Sequence, residues 1–429
     1  MGVSAASNQV IKPTLAEQGD AKLVRPAKGP ITLETGGKDD QVTVSKGAKG
    51  RYEVDVNGTK YSFSKEEMER LRIRTGAGAD TVKVGKGVDV PVKIGTGDGA
   101  DKVVNHSDGA RIYTGKGADS VKNDGDGAKI DTGAGADKVR CRGDSAQIRT
   151  GAGQDDVFVA GDHNKVAGGK GDDKIKAKGD HNKVAGGKGS DKIKVDGDRN
   201  RVLGGKGNDE LKVGGDHNKV GGGKGNDQIT VEGDKNLVRG GKGDDQIKVD
   251  GDRNGVRGGN GNDLILSTGD RNTLRGGNGD DVIGSRGDHN RIRGGKGNDQ
   301  VGALGDHNGI RGGSGNDQIA LVGDKNWIRT GKGNDDVLIV GDKNRARTGD
   351  GNDTATIEGD ENRLRTGKGA DEVLITGDGN KVRTGGGADT VAVDGSGNKI
   401  STGRGKDEVF SVGEGVNIVD GKLHAPFRC

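Results

Sequence analysis

An aspartate recurs every 18 residues at Asp101, Asp119, Asp137, Asp155, Asp173, Asp191, Asp209, Asp227, Asp245, Asp263, Asp281, Asp299, Asp317, Asp335, Asp353, Asp371, Asp389 and Asp407. Asp80 adds a nineteenth copy, set off by a three-residue insertion near Val88 to Pro91. Gly stands two and four residues before every one of them. In the central copies these are Gly169 and Gly171, Gly187 and Gly189, Gly205 and Gly207, Gly223 and Gly225, Gly241 and Gly243, Gly259 and Gly261, Gly277 and Gly279, Gly295 and Gly297, and Gly313 and Gly315. A chain that coils with this period stacks identical carboxylates about 5 Å apart, an arrangement that repels unless positive charge lies between them. A hard cation wanting six to eight oxygens in flexible geometry suits a site made of two carboxylates and backbone carbonyls. The Asp file supplies the candidate side-chain ligands, and the loop glycines let their own backbone approach the ion.

Those residues need elements to hold them. A well-formed unit reads GGKGDDQIKVDGDRNGVR, from Gly240 to Arg257: a turn, a short strand, a second turn and a second strand. Two residues after the Asp comes an aliphatic file that includes Val157, Ile175, Ile193, Leu211, Ile229, Ile247, Ile265 and Ile283. The second strand carries its own file, among them Val166, Val184, Val202, Val220, Val238, Val256, Leu274, Ile292 and Ile310. Strand alternation sends these to one face and charged neighbours such as Lys174 and Lys176 to the other. The expectation is an all-β, single-domain, right-handed parallel β-roll or β-helix solenoid of about 19 coils of 18 residues, with a small N-terminal cap. Such a fold accommodates a composition that excludes an ordinary globule: 429 residues with 88 Gly, 2% aromatic and 28% hydrophobic residues. With 5 Pro and no glycine at every third residue, collagen is excluded as well.

The runs GGKGDDQIK and GGNGNDLIL resemble the nonapeptide GGxGxDxUx of the repeats-in-toxin (RTX) calcium-binding proteins. The likeness covers roughly residues 75–412. It implies a parallel β-roll with calcium between successive turns on one edge, held by carbonyls of the Gly-rich loop and by Asp side chains from both coils. Three departures stand out. Only alternate turns carry GGxGxD; the others read GDHN, GDRN or GDKN, with Asn164, Asn182, Asn200 and onward to Asn398 where the family has Asp. That second edge is expected to form an amide ladder without calcium, and its Asp column (Asp162, Asp180, Asp198) to make Asx turns. The residue five before the file Asp is Gly from Gly168 to Gly312 but Thr in the outer coils, as at Thr75, Thr150, Thr330 and Thr402. Those outer sites are expected to bind more weakly.

The third departure is charge. Family members are typically acidic, whereas 69 basic against 66 acidic residues leave this chain at +3. One Arg per coil lines up at Arg239, Arg257, Arg275, Arg293, Arg311, Arg329, Arg347, Arg365 and Arg383, beside a mixed basic file that includes Lys165, Lys183, Arg201, Lys219, Arg291, Arg345, Arg363, Lys381 and Lys399. One Ca²⁺ in each of the 17 gaps between the 18 in-register Asp would add 34 charges, taking +3 to about +37. The loaded chain would then attract a polyanion such as an acidic polysaccharide, lipopolysaccharide or nucleic acid along the Arg face. The plainer reading of that face is a solvated surface that balances the Asp file.

Five histidines, His163, His181, His217, His289 and His307, share one turn position and suggest transition-metal binding only weakly. No Ser/His/Asp grouping, HExxH or P-loop is present, so no enzyme is expected. Cys141 and Cys429 are too far apart in sequence for a disulfide framework and read as a small core residue and a tail thiol. Residues 1–30 read as disordered, 31–74 as a cap with a VNGT hairpin and a helical SKEEMERL, 75–420 as the roll, and 421–429 as a tail. No signal peptide, transmembrane run or sizeable C-terminal export region is expected. The function expected is a calcium-binding, secreted binding or structural module whose folding is coupled to Ca²⁺, against a calcium-independent structural solenoid inside a cell.

Overall fold

The computed structural model describes residues 14–18, 21–412, 417–419 and 422–424. Two compact units make up the chain, Met1–Arg201 and Val202–Cys429. Both are built almost wholly from strands of four to six residues.

In the first unit, strands β1 (Thr14–Gln18), β2 (Ala21–Arg25) and β3 (Ile31–Glu34) form an antiparallel meander. Order therefore reaches into the segment expected to be disordered. The alternation in Ala21–Arg25 explains it, because Ala21 and Leu23 are buried and Leu23 pairs with Leu33; residues 1–13 lie outside the described residues. Then come β4 (Gln41–Lys46), β5 (Tyr52–Val56) and β6 (Thr59–Phe63). The hairpin between β5 and β6 turns at Asn57 and Gly58, both in the left-handed region (φ 50° and 88°), as the Asn-Gly pair dictates. The helix α1 (Lys65–Arg70) starts at Ser64, whose hydroxyl accepts from the Glu67 N–H while the Glu67 carboxylate accepts from the Ser64 N–H. Tyr52, Tyr61, Phe63 and Met68 are buried here, so the cap has the aromatic core that the coils lack.

From β7 (Leu71–Ala77) and β8 (Thr81–Val84) onward the strands pair in parallel, first 21 residues apart across the insertion, as Ile73 with Ile94, and then 18 apart. Residues 18 apart oppose each other: Val166 with Val184 and Ile175 with Ile193 in the first unit, Val238 with Val256 and Ile247 with Ile265 in the second. The burial pattern alternates strictly, and both aliphatic files are buried throughout. Counting both units, the fold is a parallel β-solenoid of about nineteen 18-residue turns. In the segment read as a tail, Lys422–His424 forms a strand beside Glu408–Ser411. Residues 425–429, with Cys429, lie outside the described residues.

Candidate metal centre

Parallel register brings the Asp file to one edge of each unit. Every file member from Asp80 to Asp389 is at most 2% exposed, and Asp407 is 8% exposed. One carboxylate oxygen is committed: the Asp155 N–H donates to Asp173 Oδ1 (3.0 Å), the Asp227 N–H to Asp245 Oδ1 (2.9 Å) and the Asp245 N–H to Asp263 Oδ1 (2.9 Å). The pattern repeats along each unit, so the file also staples coil to coil. Asp40 belongs to it, since its N–H donates to Asp80 Oδ1 and Thr35 donates to its carboxylate. The spacing of Thr35 to Asp40 matches that of Thr75 to Asp80, the signal that marks TGGKDDQV as one more copy.

The other oxygen, Oδ2, is buried without a hydrogen-bond partner in Thr-turn coils, as at Asp101, Asp119, Asp137, Asp155, Asp335, Asp353, Asp371 and Asp389, and in Gly-turn coils alike. Where the residue five before is Gly, the Oδ2 atoms of Asp173, Asp227, Asp245, Asp263, Asp281, Asp299 and Asp317 are buried with no hydrogen-bond partner. Each lies over the Cα of that glycine, so that a Cβ on Gly258 would overlap Asp263 Oδ2. Burial pushes the Asp173, Asp245, Asp263 and Asp299 carboxyls up to about 7 and those of Asp227, Asp281 and Asp317 to about 6, against the opposing pull of the backbone N–H. A buried acceptor left bare costs free energy comparable to a lost hydrogen bond, and more when charged. Where the residue five before is Thr, its hydroxyl stands beside the carboxyl. Thr75 donates to Asp80, but burial still outweighs the neighbouring Thr at Asp119, Asp137, Asp335, Asp353 and Asp371, whose carboxyls are pushed up, to about 6 at Asp119 and Asp371.

The glycines two and four before the Asp hold left-handed turns, φ 143° at Gly259 and 118° at Gly261. A Cβ on either would collide with the carbonyl of the glycine one coil earlier, Gly241 or Gly243, so backbone stacks on backbone. Among the described residues, no three His, Cys, Asp or Glu side chains converge into a metal site. A cation at this edge must therefore draw on backbone carbonyls as well as the bare Oδ2 atoms. That hard, all-oxygen donor set fits calcium.

The opposite edge is wired differently from expectation. The Asn254 N–H donates to Asn272 Oδ1 (2.7 Å), the same link the Asp file makes, and Asn272 Nδ2 donates to Gly251 O (3.0 Å). Asn182, Asn308, Asn344, Asn362, Asn380 and Asn398 repeat the second bond, while Asn236, Asn290 and Asn326 leave Nδ2 without one. The ladder is thus largely amide to backbone rather than amide to amide; Asn105 and Asn123, which join side chain to side chain (2.7 Å), end the strands Lys102–Asn105 and Ser120–Asn123 and lie outside this column. The Asp column there does not close Asx turns either. Asp162 Oδ1 accepts from the Asp180 N–H (2.7 Å) and Asp234 Oδ1 from the Asp252 N–H (2.8 Å), because the nearest open donor is the N–H one coil later. Between these columns sits a left-handed position held by non-glycine residues, including His163, His181, Arg253, Arg271, His289, His307, Lys325 and Lys343. His163 stacks on His181 and His289 on His307, each pair at 4.9 Å. Cys141 is buried, which pushes its thiol pKa up.

The Arg file from Arg239 to Arg383 is exposed and in register, Arg257 opposite Arg275 and Arg293 opposite Arg311. No helix among the described residues is long and apolar enough to cross a membrane.

Against known families, residues 160–193, 195–229, 230–265, 257–290, 266–301, 285–319 and 311–338 match the RTX calcium-binding nonapeptide repeat, a model of four copies. The matched segments span the coils whose turns carry Gly168 to Gly312. No curated protein matches the chain. The chain thus carries RTX calcium-binding nonapeptide repeats, wound into a parallel β-solenoid.

Proposed function

We propose that the protein is a secreted calcium-binding module whose coils fold as they take up the ion, with the Gly-turn coils as its stronger sites and the Thr-turn coils as its weaker ones. The observation that carries this reading is the row of buried, partnerless Oδ2 atoms that runs along the Asp edge through Gly-turn and Thr-turn coils alike, Asp137, Asp245 and Asp353 among them. Bound calcium would supply the positive charge that the file lacks. The ligands in this reading are the file Asp carboxylates and carbonyls of the loop glycines, with Asp173 to Asp317 the principal set and Asp80 to Asp155 and Asp335 to Asp407 weaker members. Because each ion would be shared by two coils, filling should be cooperative, and folding free energy becomes metal-binding free energy. Millimolar extracellular calcium matches such a device, which supports secretion. Ion uptake also leaves the basic faces in excess, so the loaded module is suited to polyanions.

The test is far-UV circular dichroism in EDTA followed by calcium titration, with magnesium as control, and a count of ions bound at saturation. The expected result is β-structure that rises steeply with calcium and not with magnesium, with the nine Gly coils (Asp173 to Asp317) filling before the Thr coils. Full β-structure in EDTA, unchanged by calcium, would overturn the reading in favour of a calcium-independent solenoid.

A further inference from the structure

We propose that the outward face of the sheet that follows the Asp file, from Leu264 to Thr376 in the second unit, is a docking surface for a second copy of this chain, laid face to face with the coil order reversed.

Seven strands make this face: Leu264–Thr268, Val282–Arg286, Gln300–Leu304, Gln318–Val322, Asp336–Val340, Thr354–Glu358 and Glu372–Thr376. Each turns its first, third and fifth residues outward, which gives 21 outward residues, three on each of seven strands. Six of them are large apolar side chains 40% to 48% exposed: Leu266, Val282, Leu304, Val322, Leu338 and Leu374. None of the 21 is Lys, and only Arg286, Asp336, Glu358 and Glu372 are charged. Elsewhere the same outward positions are ionic. The strands Lys174–Lys178 and Lys192–Asp196 of the first unit expose Lys174, Lys176, Lys192 and Lys194, and earlier in the second unit Lys212 pairs with Glu210 (2.5 Å) and Lys248 with Asp250 (3.6 Å). The patch is continuous, with Leu304 beside Val322 and Ala320 beside Leu338 in parallel register. A soluble monomer rarely leaves an apolar patch of this extent uncovered.

Three observations identify the cover as a second copy. The first is charge. A two-fold axis along the strand Gln318–Val322 reverses the coil order and sets each outward column against itself. Arg286, two coils before that strand, then faces Glu358, two coils after it, and symmetry makes the pair twice. Among the described residues, neither Arg286 nor Glu358 makes an ion pair within its own chain. An axis along the coils would instead set Arg286 against Val282 and Glu358 against Thr354, leaving both charges covered and unpaired. The second observation is shape. The same reversed order places Leu338 over Gly302, where an added Cβ would meet nothing within 4 Å, so the leucine has an open place to enter. Leu304 then faces Val340, Leu266 faces Leu374, and Val322 meets its own copy at the axis. The third is size: 21 residues fall within the about 20–30 a side of a stable protein–protein interface, and two such faces pack about 10 Å apart as the sheets of a sandwich do. An anionic lipid surface fits less well, since the face carries one Arg against three acids.

The experiment is sedimentation velocity of the full chain in saturating calcium over a dilution series, with circular dichroism on every sample to separate a lost dimer from a lost fold. The parent should sediment as a dimer that dissociates on dilution. Val322→Lys, which sets two ammonium groups against each other at the axis, should weaken the dimer roughly 100-fold or more. Arg286→Glu and Glu358→Arg should each weaken it about ten-fold, and the double variant R286E/E358R should restore it, because the charges then exchange places. Arg311→Gln, on the other sheet, should dimerise as the parent does. A parent that stays monomeric at every concentration, a Val322→Lys dimer as tight as the parent's, or a double variant that fails to recover what the single exchanges lose would each overturn the proposal. So would a monomer that floats with phosphatidylcholine vesicles, which would give the face to lipid. A chain already folded in EDTA loses the calcium reading, while the same dilution series still decides the dimer.

Discussion

The two edges of the solenoid solve one problem with different residues. Both bury a short polar side chain once per coil, and both spend its Oδ1 on the N–H of the preceding coil, as Asp263 does for Asp245 and Asn272 for Asn254. What remains is the second polar atom. On the Asn edge it is an amide that donates to a carbonyl, as Asn272 Nδ2 does to Gly251. On the Asp edge it is an acceptor beside other acceptors, met by a Thr hydroxyl at Asp80 and by no hydrogen bond in outer coils such as Asp137 and Asp353 or in Gly coils such as Asp245. The difference teaches that the demand for a cation belongs to the edge as a whole, set by an acceptor where the other edge has a donor.

The comparison can be broken most forcefully with pH. In EDTA, the Gly-coil carboxyls have folded pKa values raised to about 6 to about 7 from the ordinary carboxylate range. A raised pKa contributes stability that is full below the unfolded value near 4 and is lost as pH climbs through the folded value. The chelated protein should therefore melt highest near pH 4 and lose much of its Tm between about pH 5 and pH 8, whereas saturating calcium should flatten that fall. A Tm in EDTA that rises with pH over this window would contradict the bare-carboxylate picture.

A single exchange on the other edge should come next in size. Asn272→Asp replaces a donor by a charged acceptor facing the Gly251 carbonyl, and should cost about 3 kcal/mol in urea melts with calcium present. Rescue of that loss by extra calcium would show that either edge can hold the ion, and the distinction drawn between them would fall. The smallest effect is expected from Thr366→Gly, which removes a hydroxyl that donates to Thr384 O (3.0 Å) and stands beside Asp371. About 1 kcal/mol should be lost in EDTA, and calcium should fill that coil at a lower concentration than in the parent. Unchanged calcium affinity would mean that Thr does not weaken the outer sites.

Much of this was legible in the residues themselves. The period of 18, the two aliphatic files and the Gly-Gly turns admit few folds, since short alternating strands joined by left-handed glycines can bury their apolar residues only against copies of themselves. The Asn-Gly hairpin at Asn57 and the helix begun at Ser64 were likewise written in local chemistry. Order in β1 and β2 was missed because two short strands with few apolar residues give little signal until β3 is there to pair with them. The wiring of both edges was also out of reach: Asp162 and Asn182 bond to backbone groups 18 or 21 residues away, which composition and spacing do not reveal.

The sequence alone determined that the chain is a solenoid with a carboxylate once per turn, because a strict repeat leaves each residue the same neighbours in every coil. Only the tertiary structure decided which of those carboxylate oxygens already has a partner. Stacking aims one oxygen at a backbone N–H and buries the other, and whether that second oxygen meets a hydroxyl or an empty glycine depends on atoms brought together across the turn.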